Sequence, residues 1–154
     1  MKLSDDDFQK IVTDIMYINQ KFSDSEHLKS LSGDVLSYTG TKLAAMKALL
    51  IDTKVEAHQE FLNADTDYKS TKAKAIRRLT GELIKEGGTK ISQSAAADLM
   101  YGEDDVIRAS RRKNEAEAFW NQLKNLTSDT HDLIDSIKSR VIDLQGARKD
   151  ERLG

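Results

Sequence analysis

The sequence predicts an all-α fold: two long antiparallel helices forming a coiled-coil-like hairpin, joined by an N-terminal helix and short connecting helices, and assembled into an oligomer. Three observations carry that prediction. No proline occurs in 154 residues, so no helix has to break. Charged side chains make up 32% of the chain and aromatic ones only 6%, which suits exposed helices and limits the core that one copy can build. Residues 41–86 and 103–146 each carry an apolar seam at helical spacing.

Residues 1–40 read as an N-terminal helix and a corner. Ser4 before Asp5, Asp6 and Asp7 is a helix start, because the hydroxyl can accept from an orphan N–H and the carboxylates suit the positive end of the helix dipole. Phe8, Ile11, Val12, Ile15, Ile18 and Phe22 follow at helical spacing. Ser23, Ser25, Ser32 and Gly33 then bracket one or two turns around Glu26–Leu31, a linker or corner.

Residues 41–86 form the first long helix, with a seam of Leu43, Met46, Leu50, Ala57, Phe61, Ala64, Tyr68, Ala75, Leu79 and Leu83. Gly87-Gly88 closes it, since glycine takes the left-handed conformation at little cost. Residues 87–102 are a connection in which Ser92–Tyr101 makes a short helix. Residues 103–146 form the second long helix, opened by Glu103, Asp104 and Asp105. Its heptad seam runs Val106, Ala109, Lys113, Ala116, Trp120, Leu123, Thr127, Thr130, Ile134, Ile137, Val141 and Leu144. Trp120, Leu123, Ile134, Ile137, Val141 and Leu144 are the expected core or subunit-interface residues. Lys113, Thr127 and Thr130 are polar at core positions, a device that sets register and partner number. Residues 147–154 are a charged, fraying tail, and residues 1–154 together make a single helical domain.

The two long helices match in length, each roughly 65–70 Å at the rise of an α-helix. Folded back about the midpoint of the connection, they pair residues whose numbers sum to about 188, as Lys74 with Asn114. This register gathers two basic clusters. Lys69, Lys72, Lys74, Arg77 and Arg78 form one, and Arg108, Arg111, Arg112 and Lys113 the other. A net charge of −2 conceals them: residues 1–68 hold 7 basic and 12 acidic side chains, and residues 69–154 hold 17 and 14. Several cations on one surface are what a phosphate backbone requires. The bland alternative is a solvated face, with Arg111–Glu115 or Lys113–Glu117 as ordinary i, i+4 pairs.

Other chemistry finds little footing. Without cysteine there is no disulfide, thiolate nucleophile or cysteine metal site, in keeping with a reducing cytoplasm. The segment Met1–Asp7 lacks the apolar core of a signal peptide, and no apolar run approaches a membrane span, so a soluble protein is expected. No phosphate loop, dinucleotide fingerprint, nucleophile elbow or zinc-protease motif occurs, so no enzyme, cofactor or metal is expected. His27, His58 and His131 are scattered, and His131 with Asp135 supplies two ligands where a metal site needs more. Trp120 lies on the seam and belongs to packing, whereas Tyr101, beside the basic clusters, is the aromatic better placed to stack on a base.

The later part of the chain resembles the phage UvsY-type recombination mediator family. The likeness lies in the acidic start Glu103-Asp104-Asp105-Val106, the mid-helix Trp120, the run Leu133-Ile134-Asp135-Ser136-Ile137-Lys138-Ser139-Arg140 and a late Arg148. It covers the last 50 or so residues, with the order of elements alone beyond them. The resemblance implies a ring-like homo-oligomer that binds single-stranded DNA and helps load a RecA-like recombinase on DNA covered by a single-strand-binding protein. Such a protein would work in the cytoplasm of a bacterial host. The family's basic stretch in the long helix is replaced here by Glu56-Ala57-His58-Gln59, with only Lys54 nearby. The DNA contact then passes to the two basic clusters. The alternative function is a helical assembly or adaptor protein, such as a virion component or an inhibitor of a host protein, without a nucleic-acid role.

Overall fold

The computed structural model describes residues 3–85 and 92–154, and every regular element among them is helical. In order these are α1 (Asp5–Phe22), α2 (Ser25–Ser30), α3 (Gly33–Lys85), α4 (Gln93–Leu99), a single 3-10 turn (Met100–Gly102) and α5 (Asp104–Leu153). The all-α expectation with two long helices packed on each other therefore holds. The expected closure at Gly87-Gly88 lies outside the described residues. Among the described residues, no helix is long and apolar enough to cross a membrane.

Side-chain caps set the short elements. Ser4 accepts from the Asp7 N–H at 3.1 Å and opens α1, Asp24 accepts from the Glu26 N–H at 3.0 Å and opens α2, and Ser92 accepts from the Ala95 N–H at 3.2 Å and opens α4. The long helix α3 begins at Gly33 rather than near Thr41. Ser32 caps it, accepting from the Val35 N–H at 3.3 Å, and the polar run that read as a corner is helical. Thr39 and Thr41 turn their hydroxyls back onto the carbonyls of Val35 and Ser37, so they interrupt nothing. At the other end, α5 continues through Gly146 to Leu153, because Ala147, Arg148, Lys149, Glu151 and Arg152 are good helix formers and outweigh one glycine.

The chain divides into two compact units, Met1–Val55 with Gln122–Gly154, and Glu56–Asn121. In the first unit, α1 buries Phe8, Ile11, Ile15 and Ile18, while α3 contributes Leu36, Leu43, Met46 and Leu50. From α5 come Leu123, Leu133, Ile134 and Ile137. Thr127 and Thr130 are buried too, and their hydroxyls donate to the Leu123 and Leu126 carbonyls at 2.7 and 2.6 Å. Each is thus satisfied within its own helix, so neither fixes the register by a bond to a neighbouring helix as the sequence had led us to expect. Arg140 reaches the Lys29 carbonyl at the end of α2 at 3.5 Å, which gives the Ile-Lys-Ser-Arg run a structural contact at the corner.

The second unit has a thinner core. Ala57, Ala64, Ala75 and Ala96 take buried positions, and Ala75 clusters with Met100 and Val106 beneath Tyr68, Ile76 and Leu79. Trp120 lies on the seam as expected and is half-buried. Its ring stacks on Phe61 at 5.4 Å and on His58 at 4.3 Å between centroids.

Both units show α3 and α5 antiparallel, in a register different from the one predicted. In the first, Lys47 meets His131 and Gly40 faces Ile137. In the second, Phe61 meets Trp120, Lys113 meets Asp65, and Arg78 meets Asp105. Asn114 is thereby carried away from Lys74 toward the level of Asp65. The midpoint assumption fails because α4 and the 3-10 turn occupy the connection, so that α5 begins level with Arg78 rather than with the end of α3. Electrostatics favours the observed register. The predicted one stacks nine cations on one another, whereas this one sets Arg78, Arg112 and Lys113 against Glu60, Asp65, Asp67, Glu103 and Asp105.

Candidate nucleic-acid interface

The cations predicted to bind phosphate fall into three groups. In the first group are those consumed by ion pairs of the second unit. Arg112 donates from Nη2 to Glu60 Oε1 at 2.7 Å and from Nη1 to Asp67 Oδ2 at 3.1 Å. The hydrogen bond to Glu60, then the charge of Glu60, hold the Arg112 guanidinium above its ordinary value. Arg78 donates to Glu103 at 2.6 Å and lies 3.4 Å from Asp105, and these partners, Asp105 first, raise its pKa in the same way. Lys69 and Lys113 share Asp65, at 2.6 and 3.5 Å. The expected Lys113–Glu117 pairing gives way to this contact between helices.

Lys72 makes up the second group. Its ammonium lies over the Tyr68 ring at 5.1 Å and the Tyr101 ring at 5.4 Å, and Lys113 approaches Tyr68 from α5 at 5.4 Å. Tyr101 is 57% exposed, so its ring remains accessible.

Lys74, Arg77, Arg108 and Arg111 are the third group. All four are exposed, and none has an ion pair or hydrogen bond among the described residues. Helical spacing sets their placement. Lys74 lies i+7 from Asp67 and i−4 from Arg78, two residues that bridge to α5 on one flank. Arg108 lies i+3 from Asp105 and i−4 from Arg112, the partners in those bridges. Lys74 and Arg108 therefore share the bridged flank, and Arg77 and Arg111, each i+3 from one of them, lie a step further round toward solvent. The result is four exposed cations without ion pairs among the described residues, beside two carboxylate-clamped arginines.

Lys54, the remaining predicted contact, belongs to the first unit, where it is half-buried and lines a cleft with Lys47, Lys124 and His131. Sequence reasoning passed over Lys47 and Lys124, which lie outside any basic run; their signal is the i, i+7 spacing of Lys47 and Lys54 on one face of α3. Among the described residues, no group of three or more His, Asp or Glu side chains is placed to hold a metal ion. His131 is instead engaged on both ring nitrogens, with Lys47 Nζ 2.8 Å from Nδ1 and Asp135 Oδ2 3.3 Å from Nε2.

Comparison of the chain with family models, with curated proteins and with solved structures finds no match.

Proposed function

We propose that the protein is a non-enzymatic nucleic-acid-binding protein that contacts a phosphate backbone through Lys74, Arg77, Arg108 and Arg111. One observation carries the proposal: these four exposed cations, Lys74 and Arg108 on one flank and Arg77 and Arg111 a step further round, lack carboxylate partners among the described residues, while their neighbours Arg78 and Arg112 are clamped. A cation held by a carboxylate has already lost much of what it would gain from phosphate, and a free one has not. Tyr101, exposed under Lys72, offers a face for a base. The likeness of residues 103–148 to the phage recombination mediators adds the finer reading. On it, the ligand is single-stranded DNA, the protein acts as a homo-oligomer, and the task is loading a RecA-like recombinase in a bacterial cytoplasm.

Titration of a labelled single-stranded oligonucleotide at several salt concentrations tests the proposal. Four phosphate contacts give a slope of log K against log salt of about −3. Replacing Lys74, Arg77, Arg108 and Arg111 by Gln removes the binding and leaves the helical circular dichroism unchanged. Reversal of Arg112 is the wrong test, since a glutamate there would meet Glu60 and Asp67. Absence of binding at low salt, or binding that salt does not weaken, overturns the proposal.

The adaptor or assembly reading has an observation of its own. The first unit leaves Tyr38 at 73%, Val55 at 63% and Ile142 at 66% exposure, and Ile142 borders a cleft of about 520 Å³ lined by Leu36, Ile137 and Val141. Loss of oligomers on Ile142→Asp, with nucleic-acid binding absent in the parent protein, would favour that reading.

A further inference from the structure

The first unit holds a second cationic feature with a different character. Between α3 and α5 lies a cleft of about 360 Å³ whose lining includes Lys47, Lys54, Lys124, Thr127, Ser128 and His131, and no carboxylate. Lys47 and Lys54 are half-buried. Neither has a carboxylate partner among the described residues, in contrast to Lys69 and Lys113 in the second unit. Half-burial of an ammonium without a counter-ion is unfavourable, and an anion in the cleft relieves it.

The hydrogen-bond pattern shows which groups face that anion. An ammonium has only hydrogens to offer, so Lys47 donates to His131 Nδ1 at 2.8 Å, and the ring proton resides on Nε2, toward Asp135 Oδ2 at 3.3 Å. Asp135 therefore acts on the far nitrogen of the imidazole and leaves the cleft lining free of negative charge. Lys47 keeps two N–H bonds beyond the one given to His131, and Lys54 keeps all three among the described residues. The Thr127 hydroxyl is committed to the Leu123 carbonyl, while Ser128, one residue on, is exposed.

We infer that this cleft is a binding site for a small doubly charged phosphate group, either free phosphate or the terminal phosphate of a monoester, held by Lys47 and Lys54 with Ser128 at its rim. Two half-buried ammonium groups lining one cleft suit a dianion with three or four acceptor oxygens better than a monovalent carboxylate. The site is distinct from the strip of Lys74, Arg77, Arg108 and Arg111, and neither assignment depends on the other.

The test uses the full chain and follows the His131 ring resonances by NMR while sodium phosphate is added at constant ionic strength. A saturable shift is expected, with sodium chloride at matched ionic strength giving none. Lys47→Gln with Lys54→Gln weakens the phosphate affinity by about tenfold or more, whereas Lys54→Arg retains it. The Gln replacements at Lys74, Arg77, Arg108 and Arg111 bind phosphate like the parent, which separates this site from the nucleic-acid strip. A nucleoside 5′-monophosphate in a second arm distinguishes the sources: tighter binding than inorganic phosphate assigns the site to an ester, and equal or weaker binding to the free ion. A shift that chloride reproduces, a shift that does not saturate, or an affinity untouched by the double Gln variant overturns the inference. A thermal melt by circular dichroism confirms that the double variant is folded.

Discussion

The same two helices are used differently in the two units. In the first, α3 buries Leu36, Leu43, Met46 and Leu50, and α1 adds Phe8, Ile11, Ile15 and Ile18 to an aliphatic core. In the second, α3 buries Ala57, Ala64 and Ala75, and the binding between helices shifts to the Trp120 stack and to carboxylate clamps on Arg78, Arg112 and Lys113. A large apolar seam holds by area removed from water and is not screened by salt. A small seam with charged edges depends on geometry, and it leaves the charges it does not use in solvent. Among the described residues, the unpaired cations of the second unit and Lys47 and Lys54 of the first, which lack carboxylate partners, follow from this difference.

The largest effect should come from the aliphatic core. Leu43 is fully buried, and Leu43→Ala leaves a cavity worth about 2–5 kcal/mol. Urea unfolding followed by circular dichroism measures it, and a loss below that of any second-unit variant would break the comparison. Next comes Trp120→Ala, which removes two stacked contacts from a half-buried position and costs about 2–3 kcal/mol. Trp120 is the sole tryptophan, so the fluorescence of the parent protein reports the second unit. If the fluorescence midpoint follows Leu43→Ala as fully as circular dichroism does, the two units unfold together.

Glycine sharpens the same contrast at a smaller scale. Gly40 and Gly81 both lie inside α3, one in each unit. A Cβ at Gly40 would meet the Ile137 methyl at 3.4 Å, an ordinary contact, and one at Gly81 would meet nothing among the described residues within 4 Å. Alanine at either position should stabilise by about 0.5–1 kcal/mol through helix propensity. A Gly40→Ala variant that loses stability instead would show the first unit to be packed more tightly than its contacts imply.

Much of this architecture was legible in the sequence because seam spacing is a local signal. All twelve predicted positions of α5, from Val106 to Leu144, are buried or half-buried. What stayed hidden was non-local. A seam read on one helix says which face is inward, not which residue it meets, and the register depended on how α4 and the 3-10 turn fill the connection. The candidate site inherited that error. In the predicted register Arg112 faces residue 76 and adds to a basic patch, whereas it actually faces Glu60 and Asp67 and is neutralised. Composition alone could not separate the clamped Arg112 from Arg108 and Arg111, because all three share one short run. Polar seam residues misled for a related reason: the Thr127 and Thr130 hydroxyls find partners one turn back in their own helix.

The smallest effect concerns the clamps themselves, and acid exposes it. The hydrogen bond from Lys69, aided by the charges of Lys69 and Lys113, lowers the Asp65 pKa against a smaller desolvation effect. Arg78 lowers Asp105 in the same manner, with the Val106 N–H contributing. A carboxylate whose folded pKa lies below its unfolded value adds stability that is fully present above the unfolded value, and this is lost as pH falls through the folded one. Both aspartates belong to the second unit, so its stability should decline as pH drops below about 4 toward the folded pKa values. Asp65→Asn should flatten that decline, and 1 M salt should weaken it, because Lys69 is exposed and Asp65 and Lys113 are only half-buried. Asp135 of the first unit, paired with a histidine, supplies the control. If Asp135→Asn flattens the acid decline of Trp120 fluorescence as much as Asp65→Asn does, the clamps are not what distinguishes the second unit.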